Sequence, residues 1–555
     1  MLEISSPMLV IGLSLGLAWP LGAYMRWAMD PSESGPRRAA YEALCTRLLG
    51  SPASSPQNWK RYAGSMLLFN LVMYLLVFAI LTTQGVHPLN PDAKAALEPS
   101  LAFNTAASFT SNTNLQHYSG EVSLSYFSQL FGLMWLQFVS AATGIAAVTA
   151  LCRGLSGRTL LGNFYQDLWR ATGLVLLPLS LIVAVLLILA GTPMTLDGAA
   201  VATTLEGVTQ TIARGPVAAM VTIKQLGTNG GGYFGPNCTH PFENPGFWSN
   251  IICTVAIVLI PMATVWMFGR ITQRMRHAAV IFSVMLALYL AFVACAAITE
   301  SAPTAAFAGL PVGDAMNLEG KELRFGTTAG PLWAVSTTAT SNGSVNAMHD
   351  SLNPLTGLLP MAGMWLNVIF GGVGVGLINM FIFIIVAVFI AGLMVGRTPE
   401  YLTRKIEARE MKLAAIALLA HPVFILGGTA LFASTAWGAG TLNNPGSHGL
   451  SEIVYEFSSA AANNGSGFEG LGDNTVPWNI ATGVVMLLGR FIPIIAPLAI
   501  VGFLAAKKAT PESSGTFRVD TWMFGTVLTA VVLIVGALLF LPLAVLGPVA
   551  EHLAI

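Results

Sequence analysis

The sequence predicts an all-α polytopic membrane protein, and three observations lead to this prediction. Of the 555 residues, 54% are hydrophobic and only 9% are charged, and the mean hydropathy is +0.68. A soluble protein has about 25% charged residues, so an integral membrane protein is the expected class. About ten apolar stretches are each long enough to cross a hydrocarbon core of about 30 Å as a helix. Four shorter apolar pieces recur between them in matched positions.

The ten long apolar stretches are the predicted membrane-spanning helices. The first has no basic start and no small-residue cleavage site, so we interpret it as a retained helix rather than a cleaved signal. In order, the stretches lie near residues 6–26, 63–83, 124–152, 171–191, 247–269, 277–299, 358–396, 413–436, 478–506 and 521–546.

The positions of the basic residues predict the orientation of these helices. Segments on one side of the alternating spans contain 20 Lys and Arg residues, whereas those on the other side contain five. The positive-inside rule places the 20-residue side in the cytoplasm and both termini outside it. Lys+Arg and Asp+Glu each number 26, so charge does not indicate a nucleic-acid partner. The five cysteines are scattered and odd in number, and we interpret them as structural or incidental.

Four of the outer loops contain a short apolar piece that ends in small polar residues. The pieces are "AFNTAASFTSNTN", "AAMVTIKQLGTNGGG", "LWAVSTTATSNGS" and "YEFSSAAANNGSG". When the four pieces are aligned, they share an asparagine, and the successive asparagines are 117, 113 and 122 residues apart. The shared asparagines and their two neighbours are Ser111, Asn112 and Thr113; Thr228, Asn229 and Gly230; Ser341, Asn342 and Gly343; and Asn463, Asn464 and Gly465.

Recurrence at this period indicates an internal repeat. Each copy comprises a helix (M1), a short apolar piece (P), a polar stop and a second helix (M2), so four copies account for eight of the ten spans. In the third copy we expect the second helix to be broken. The predicted organisation is an additional N-terminal helix over 1–30, repeats over 60–155, 165–272, 277–397 and 410–508, and a C-terminal helix over 519–555.

The short pieces are typical of re-entrant segments because about ten residues cannot cross the bilayer. Non-helical backbone survives at that depth only where it is buried in protein or lines a watery cavity. Four such strands around one axis would offer rings of backbone carbonyls to a dehydrated cation. Glycine lets the chain turn without a Cβ clash, and the C-terminal ends of the short helices favour a cation. We therefore predict a cation selectivity filter formed by these twelve residues; ordinary loops are the alternative.

Several polar residues follow the predicted filter. Gln116, four residues after Asn112, is expected at the outer mouth of the pore. His117, His240, His349 and Asp350 could be metal ligands, but their spacing shows no helical pairing. We interpret these four as solvated vestibule residues.

Five strings together identify the family that the sequence resembles: "TSNTNLQHYSGE", "TNGGGYFGPNCTHPFENP", "TSNGSVNAMHDSLNPL", "NNGSGFEG" and "GRTPEYL". They resemble KdpA, the potassium-binding subunit of the bacterial Kdp P-type ATPase, which is related to the Trk/Ktr/HKT potassium transporters. The resemblance implies four pseudosymmetric M1-P-M2 units in a bacterial inner membrane, with K⁺ at the filter as the transported ion and no other cofactor. It also implies three partners: an ATP-hydrolysing P-type subunit, a single-span subunit and a small peptide subunit.

No nucleotide motif occurs in the chain. Neither D-K-T-G-T nor G-x-x-x-x-G-K-[ST] is present, so this chain is not expected to hydrolyse ATP alone. The alternative is a Trk/Ktr-like potassium transporter subunit without an ATPase partner. An organic-solute transporter would instead have broken helices and a midplane pocket in corresponding repeats.

Two features depart from four-fold symmetry. The segment 358–396 contains "GGVGVG", with Gly371, Gly372, Gly374 and Gly376, and we favour a broken helix that acts as a gate beneath the filter over close helix packing. Arg490 lies about midway along its span, where a charge costs at least ~2.5 kcal/mol on insertion scales. We predict that Arg490 blocks the axis below the filter, with snorkelling to the cytoplasmic face as the alternative.

Overall fold

The computed structural model describes residues 2–30, 35–303, 317–321, 323–394, 396, 398–510 and 517–554. Met1, Ile555 and parts of the predicted third repeat (277–397), including residues 304–316, therefore lie outside the described residues. Within them, ten helices of 20 to 33 residues are long and apolar enough to cross a membrane, which confirms the predicted all-α polytopic class.

The helices in chain order are α1 Leu2–Met29, α2 Pro36–Leu49, α3 Trp59–Thr82, α4 Pro99–Thr110, α5 Gly120–Ser123, α6 Ser128–Leu155, α7 Phe164–Leu189, α8 Val217–Leu226, α9 Phe247–Thr272, α10 Met275–Ser301, α11 Ala329–Ala339, α12 Pro354–Leu366, α13 Val375–Met394, α14 Ala408–Ala433, α15 Ala436–Ala439, α16 Gly446–Ala462, α17 Val476–Ala506 and α18 Trp522–Ala554. Two antiparallel hairpins accompany them: β1 Ala200–Thr203 with β2 Thr209–Ile212, and β3 Glu400–Tyr401 with β4 Arg404–Lys405.

Four short helices, α4, α8, α11 and α16, correspond to the four short apolar pieces of the sequence. The first three have 10 to 12 residues, but α16 has 17, which is longer than the expected piece of about ten. α4 begins with Pro99 at a position where the missing N–H is not needed. Glu98 caps it by accepting a hydrogen bond from the Leu101 N–H at 3.0 Å. We call the residues that follow the short helices loop 1 (111–117), loop 2 (227–233), loop 3 (340–346) and loop 4 (463–469).

The long apolar segment after loop 3 is two helices rather than one. α12 ends at Leu366 and α13 begins at Val375, and residues 367–374 between them are not helical. Gly372 and Gly374 have left-handed φ angles of 65° and 81° there, a conformation that costs glycine nothing. We call residues 367–374 the helix break.

The first and last helices pack on the outside of the units. α1 lies along α9, and an added Cβ at Gly22 would be 2.6 Å from the Cβ of Trp266. Glycine at this position therefore allows the two helices to approach closely. α18 packs against α10 and α13, and its Phe540 stacks on Trp365 of α12 with ring centroids 5.2 Å apart.

Segments from the predicted cytoplasmic side meet on one face of the molecule. The buried Arg153 at the end of α6 pairs with Asp30 at 3.0 Å and with Asp167 at 2.6 Å. Arg404 of the β3–β4 hairpin donates hydrogen bonds to the carbonyls of Leu504 and Lys507. Because buried charges are costly unless they are paired, the two carboxylates offset the burial of the Arg153 guanidinium.

Candidate functional site

The four loops form a closed ring in which each loop contacts the next. Every contact includes a hydrogen bond from an asparagine amide of one unit to its neighbour. The bonds run from Asn112 Nδ2 to the Thr228 carbonyl (2.9 Å), from Asn342 Nδ2 to the Lys224 carbonyl (3.0 Å), from Asn464 Nδ2 to the Thr337 carbonyl (2.9 Å) and from Asn463 Nδ2 to Thr113 Oγ1 (2.9 Å). The order around the ring is therefore the order along the chain.

Three glycines lie where neighbouring loops approach most closely. Gly230, Gly343 and Gly465 have left-handed φ angles of 78°, 98° and 104°. An added Cβ on them would lie 2.0 Å from the Asn342 carbonyl oxygen, 2.3 Å from that of Asn464 and 2.0 Å from that of Thr113, respectively. Both the conformation and the space therefore require glycine at these positions.

The backbone corrects the alignment of the first loop by one residue. In each loop one N–H bonds to the carbonyl five residues earlier: Thr113 to Ser108 (2.9 Å), Asn229 to Lys224 (2.9 Å), Asn342 to Thr337 (2.7 Å) and Asn464 to Ser459 (2.9 Å). Thr113, and not Asn112, is thus equivalent to the other three asparagines. The left-handed φ angles agree, because they occur at Asn112 and Asn114 as they do at Thr228 and Gly230.

Asn114 therefore occupies the position that is glycine in the other three loops, and Ser111 lies one residue before the matched triplet. Asparagine tolerates a left-handed φ better than most residues, which explains the substitution. The Asn114 side chain is 1% exposed, and neither its amide nitrogen nor its oxygen has a hydrogen-bond partner among the described residues.

The helix break lies directly against the ring. The Gly372 N–H donates to the Thr340 carbonyl at 2.6 Å, and the Val373 N–H donates to Thr228 Oγ1 at 2.9 Å. Asn367 accepts a hydrogen bond from Ser341 Oγ at 2.8 Å. Position 376, at the start of α13, also requires a glycine, because an added Cβ would lie 2.0 Å from the Gly371 carbonyl oxygen.

The side chain of Arg490, on α17, also lies near the helix break. Its side chain is 3% exposed and donates a hydrogen bond to the Ser140 carbonyl of α6 at 3.2 Å. An added Cβ on Gly144 would lie 2.1 Å from the Val373 oxygen and 3.3 Å from Arg490 Nη2. The structure therefore brings α6, the helix break and Arg490 together. Over the described residues, no ion pair involves this guanidinium.

A cavity of about 320 Å³ lies beside loops 1, 3 and 4, with Gln116, Gly343 and Gly465 in its wall. The Gln116 side chain bonds twice to the backbone of Gly232 in loop 2, donating to its carbonyl at 3.0 Å and accepting from its N–H at 2.7 Å. Gln116 therefore joins loop 1 to loop 2 at the cavity wall. We call this space the outer cavity.

The interpretation of the nearby histidines as solvated residues is wrong for two of them. His117 and His349 are 3% and 1% exposed, whereas His240 and Asp350 are half-buried. Burial lowers the pKa of His349 to about 3. Burial also disfavours the cation at His117, but the nearby Asp473 and Glu456 outweigh it and raise its pKa to about 9.

A buried ion pair at loop 2 was missed in the sequence. Lys224 and Glu243 are both fully buried and pair with each other, and Lys224 Nζ also donates to Asn237 Oδ1 at 2.6 Å. Asn237 Nδ2 in turn donates to the Gly230 carbonyl at 2.7 Å. A lysine within an otherwise apolar short helix was the signal that could have indicated this network.

Fold and site together define a class: a polytopic helical membrane protein in which four loops between spans close a ring around one axis. The chain belongs to the KdpA family, described as potassium-transporting ATPase A subunit, whose family model matches residues 8–553. This confirms the family resemblance of the loop strings.

Relatives of similar length are known from several bacteria. A protein of Phocaeicola vulgatus is 48% identical over the whole of both chains. Proteins of Pseudomonas putida and Pseudomonas aeruginosa are 52% and 51% identical, over 93% of this chain and 92% of theirs. All three are named potassium-transporting ATPase potassium-binding subunit.

Proposed function

We propose that this chain binds potassium and passes it across the membrane as a subunit of an ATP-driven potassium importer. The observation that carries the proposal is the ring of four loops, with glycines at three of its four contacts, in a chain of the KdpA family. The names of the relatives support the choice of ion and the presence of an ATPase partner.

In this proposal the ring is the selectivity filter, and backbone carbonyls replace the hydration shell of K⁺. The filter residues are the twelve predicted from the sequence together with Asn114. The C-terminal ends of α4, α8, α11 and α16 adjoin the ring, and the negative ends of their dipoles favour a cation there. K⁺ is the cargo, and we propose no further cofactor.

The helix break and Arg490 are the proposed barrier beneath the filter. A filter without a barrier would let potassium run down its gradient and defeat the pump. The barrier would consist of Gly371, Gly372, Gly374 and Gly376, which allow the chain to bend against the ring, and of Arg490, whose cation repels K⁺. Support comes from the contacts of Gly372 with Thr340 and of Arg490 with Ser140.

The proposed setting is a bacterial inner membrane with both termini and the outer cavity on the periplasmic side. The distribution of basic residues supports this orientation. The ATP-hydrolysing subunit would receive the ion, and we further propose a single-span subunit and a small peptide subunit in the same complex.

The test is the potassium-stimulated ATPase activity of the complex co-purified with a tagged form of this chain. We expect an ATPase subunit to co-purify and its hydrolysis of ATP to rise with potassium and not with equal sodium. If no ATPase subunit co-purifies and the chain alone carries potassium into liposomes, the Trk/Ktr-like alternative is correct instead.

A further inference from the structure

We propose that His117, Glu456 and Asp473 form a binding site for a divalent metal ion of the zinc class in the wall of the outer cavity. The three residues come from loop 1, from α16 and from the segment between α16 and α17. The metal would therefore join the first unit to the fourth, next to the filter.

The ligand atoms are close enough to share one ion. His117 Nε2 is 3.0 Å from Glu456 Oε1 and 3.9 Å from Asp473 Oδ2, and all three atoms lie within 4.8 Å of one another. Tetrahedral zinc with bonds of about 2.0–2.2 Å places neighbouring ligand atoms roughly 3.3 Å apart. Small side-chain movements would thus complete the geometry. One imidazole with two carboxylates is also a ligand set that zinc accepts.

The orientation of the imidazole is fixed by a neighbour that is not a ligand. Asn479 Nδ2 donates to Ser100 Oγ at 3.1 Å, so the Asn479 Oδ1 atom faces His117. This oxygen accepts the Nδ1–H of His117 at 2.7 Å. Nε2 is therefore the nitrogen turned toward both carboxylates. Such an outer hydrogen bond fixes the tautomer of metal-binding histidines in general.

The site has a route to the solvent. The side chains of His117 and Glu456 are 0% and 1% exposed, but that of Asp473 is 27% exposed. His117 and Asp473 both line the outer cavity of about 320 Å³. An ion can therefore reach Asp473 from the cavity, and a water from the same space can supply the fourth ligand.

A second cluster, Asp350, His448 and Glu452, provides a matched comparison. Both ring nitrogens of His448 face carboxylates, Nε2 that of Asp350 and Nδ1 that of Glu551, each at 2.8 Å. Unlike His117 and Asp473, none of the three residues of this second cluster lines the outer cavity. At His117 the metal would displace the Nε2 proton, while the Nδ1–H bond to Asn479 would remain. We therefore assign the metal to the His117 cluster only.

A divalent ion at this site would add positive charge one residue from Gln116. It would repel a monovalent cation approaching the ring, so we expect Zn²⁺ to inhibit potassium stimulation most strongly at low potassium. This effect rests on the proposed function, whereas binding of the metal does not.

The test is titration of the metal-free purified complex with Co²⁺, followed by visible absorption and by displacement with Zn²⁺. We compare the wild type with His117→Gln, Asp473→Asn and the control His448→Gln, after thermal melting has shown that each variant is folded. We expect the wild type and His448→Gln to bind one Co²⁺ in a four-coordinate spectrum. The other two variants should bind it at least about tenfold more weakly.

Equal Co²⁺ spectra and affinities in the wild type, His117→Gln and Asp473→Asn would overturn the site, as would loss confined to His448→Gln. If His117→Gln does not fold, Asp473→Asn decides alone, because its side chain is partly exposed. Metal binding without potassium-stimulated ATPase activity would support the site while contradicting the proposed function.

Discussion

Replacing Gly230 by alanine should weaken potassium binding while leaving the protein in the membrane. Gly230 has a φ of 78°, which costs a residue with a Cβ about 1–2 kcal/mol. The new Cβ would also lie 2.0 Å from the Asn342 carbonyl oxygen and 2.5 Å from the Ser344 nitrogen. Ordinary contact begins at 3.4 Å, so loop 2 and loop 3 must separate by more than an ångström.

The displaced group is a carbonyl of the proposed filter, so the movement should reach the bound ion. A misplacement of about 1 Å can cost on the order of 100-fold in a preorganised site. We therefore expect the half-saturating potassium concentration to rise about 10–100-fold, equivalent to about 1.4–2.8 kcal/mol of binding free energy. Gly230→Asp should be more severe because it adds a charge as well as a Cβ.

The assay is potassium-stimulated ATPase activity and potassium uptake at low external potassium, with sodium as the competing ion. Gly207→Ala is a matched control, because Gly207 has a φ of 81° but nothing within 4 Å of an added Cβ. It carries the conformational cost without the collision and should retain the wild-type affinity. Wild-type affinity and unchanged rejection of sodium in Gly230→Ala would refute the filter assignment.

Three further changes test other parts of the structure. Gln116→Arg should raise the half-saturating potassium concentration several-fold, because it removes the acceptor for the Gly232 N–H and adds a cation. Because salt screens an exposed charge, this effect should be smaller at high ionic strength. Arg490→Met should raise passive potassium flux in liposomes without ATP and lower net accumulation with it, because the proposed block is lost. His448→Asn should lower the melting temperature by an amount that depends on pH. Asp350 and Glu551 outweigh burial and raise the pKa of His448 to about 10, so its stabilisation is complete below about pH 6.5 and is lost as the pH rises through about 10.

Each of these three predictions would be contradicted by a specific result. Equal half-saturating potassium concentrations in Gln116→Arg and the wild type would contradict the placement of Gln116 at the entrance to the proposed filter. Arg490→Met liposomes that remain tight and accumulate potassium normally would mean that the barrier lies elsewhere; Arg61→Met, at an exposed position, is the control. A melting difference between His448→Asn and the wild type that is the same at low and high pH would contradict the ion pairs of His448.

Much of the fold could be predicted because membrane spans depend on length and hydropathy, which are local properties. The glycines at Gly230, Gly343 and Gly465 could also be singled out, since a left-handed turn and a close approach both leave a mark in the sequence. The break after Leu366 was visible as a segment too long for one span and rich in glycine.

Features that depend on contacts between residues far apart in the sequence could not be predicted from local sequence patterns. Alignment by identity chose Asn112, whereas the hydrogen bond from Thr113 to Ser108 sets the true position. The burial of His117 depends on Glu456, which lies 339 residues away along the chain. Nothing in a single polar loop distinguishes such a residue from a solvated one, because burial is decided by what packs over it.

The ring is built from one polypeptide, and this has a consequence for how it can change. In a pore assembled from four identical chains, a single codon alters four places at once, and its effect is multiplied. Here Asn114 stands on one side of the ring while glycine occupies the other three. A mutation therefore alters one quarter of the ring at a time, so the ion preference of the proposed filter can change in smaller steps.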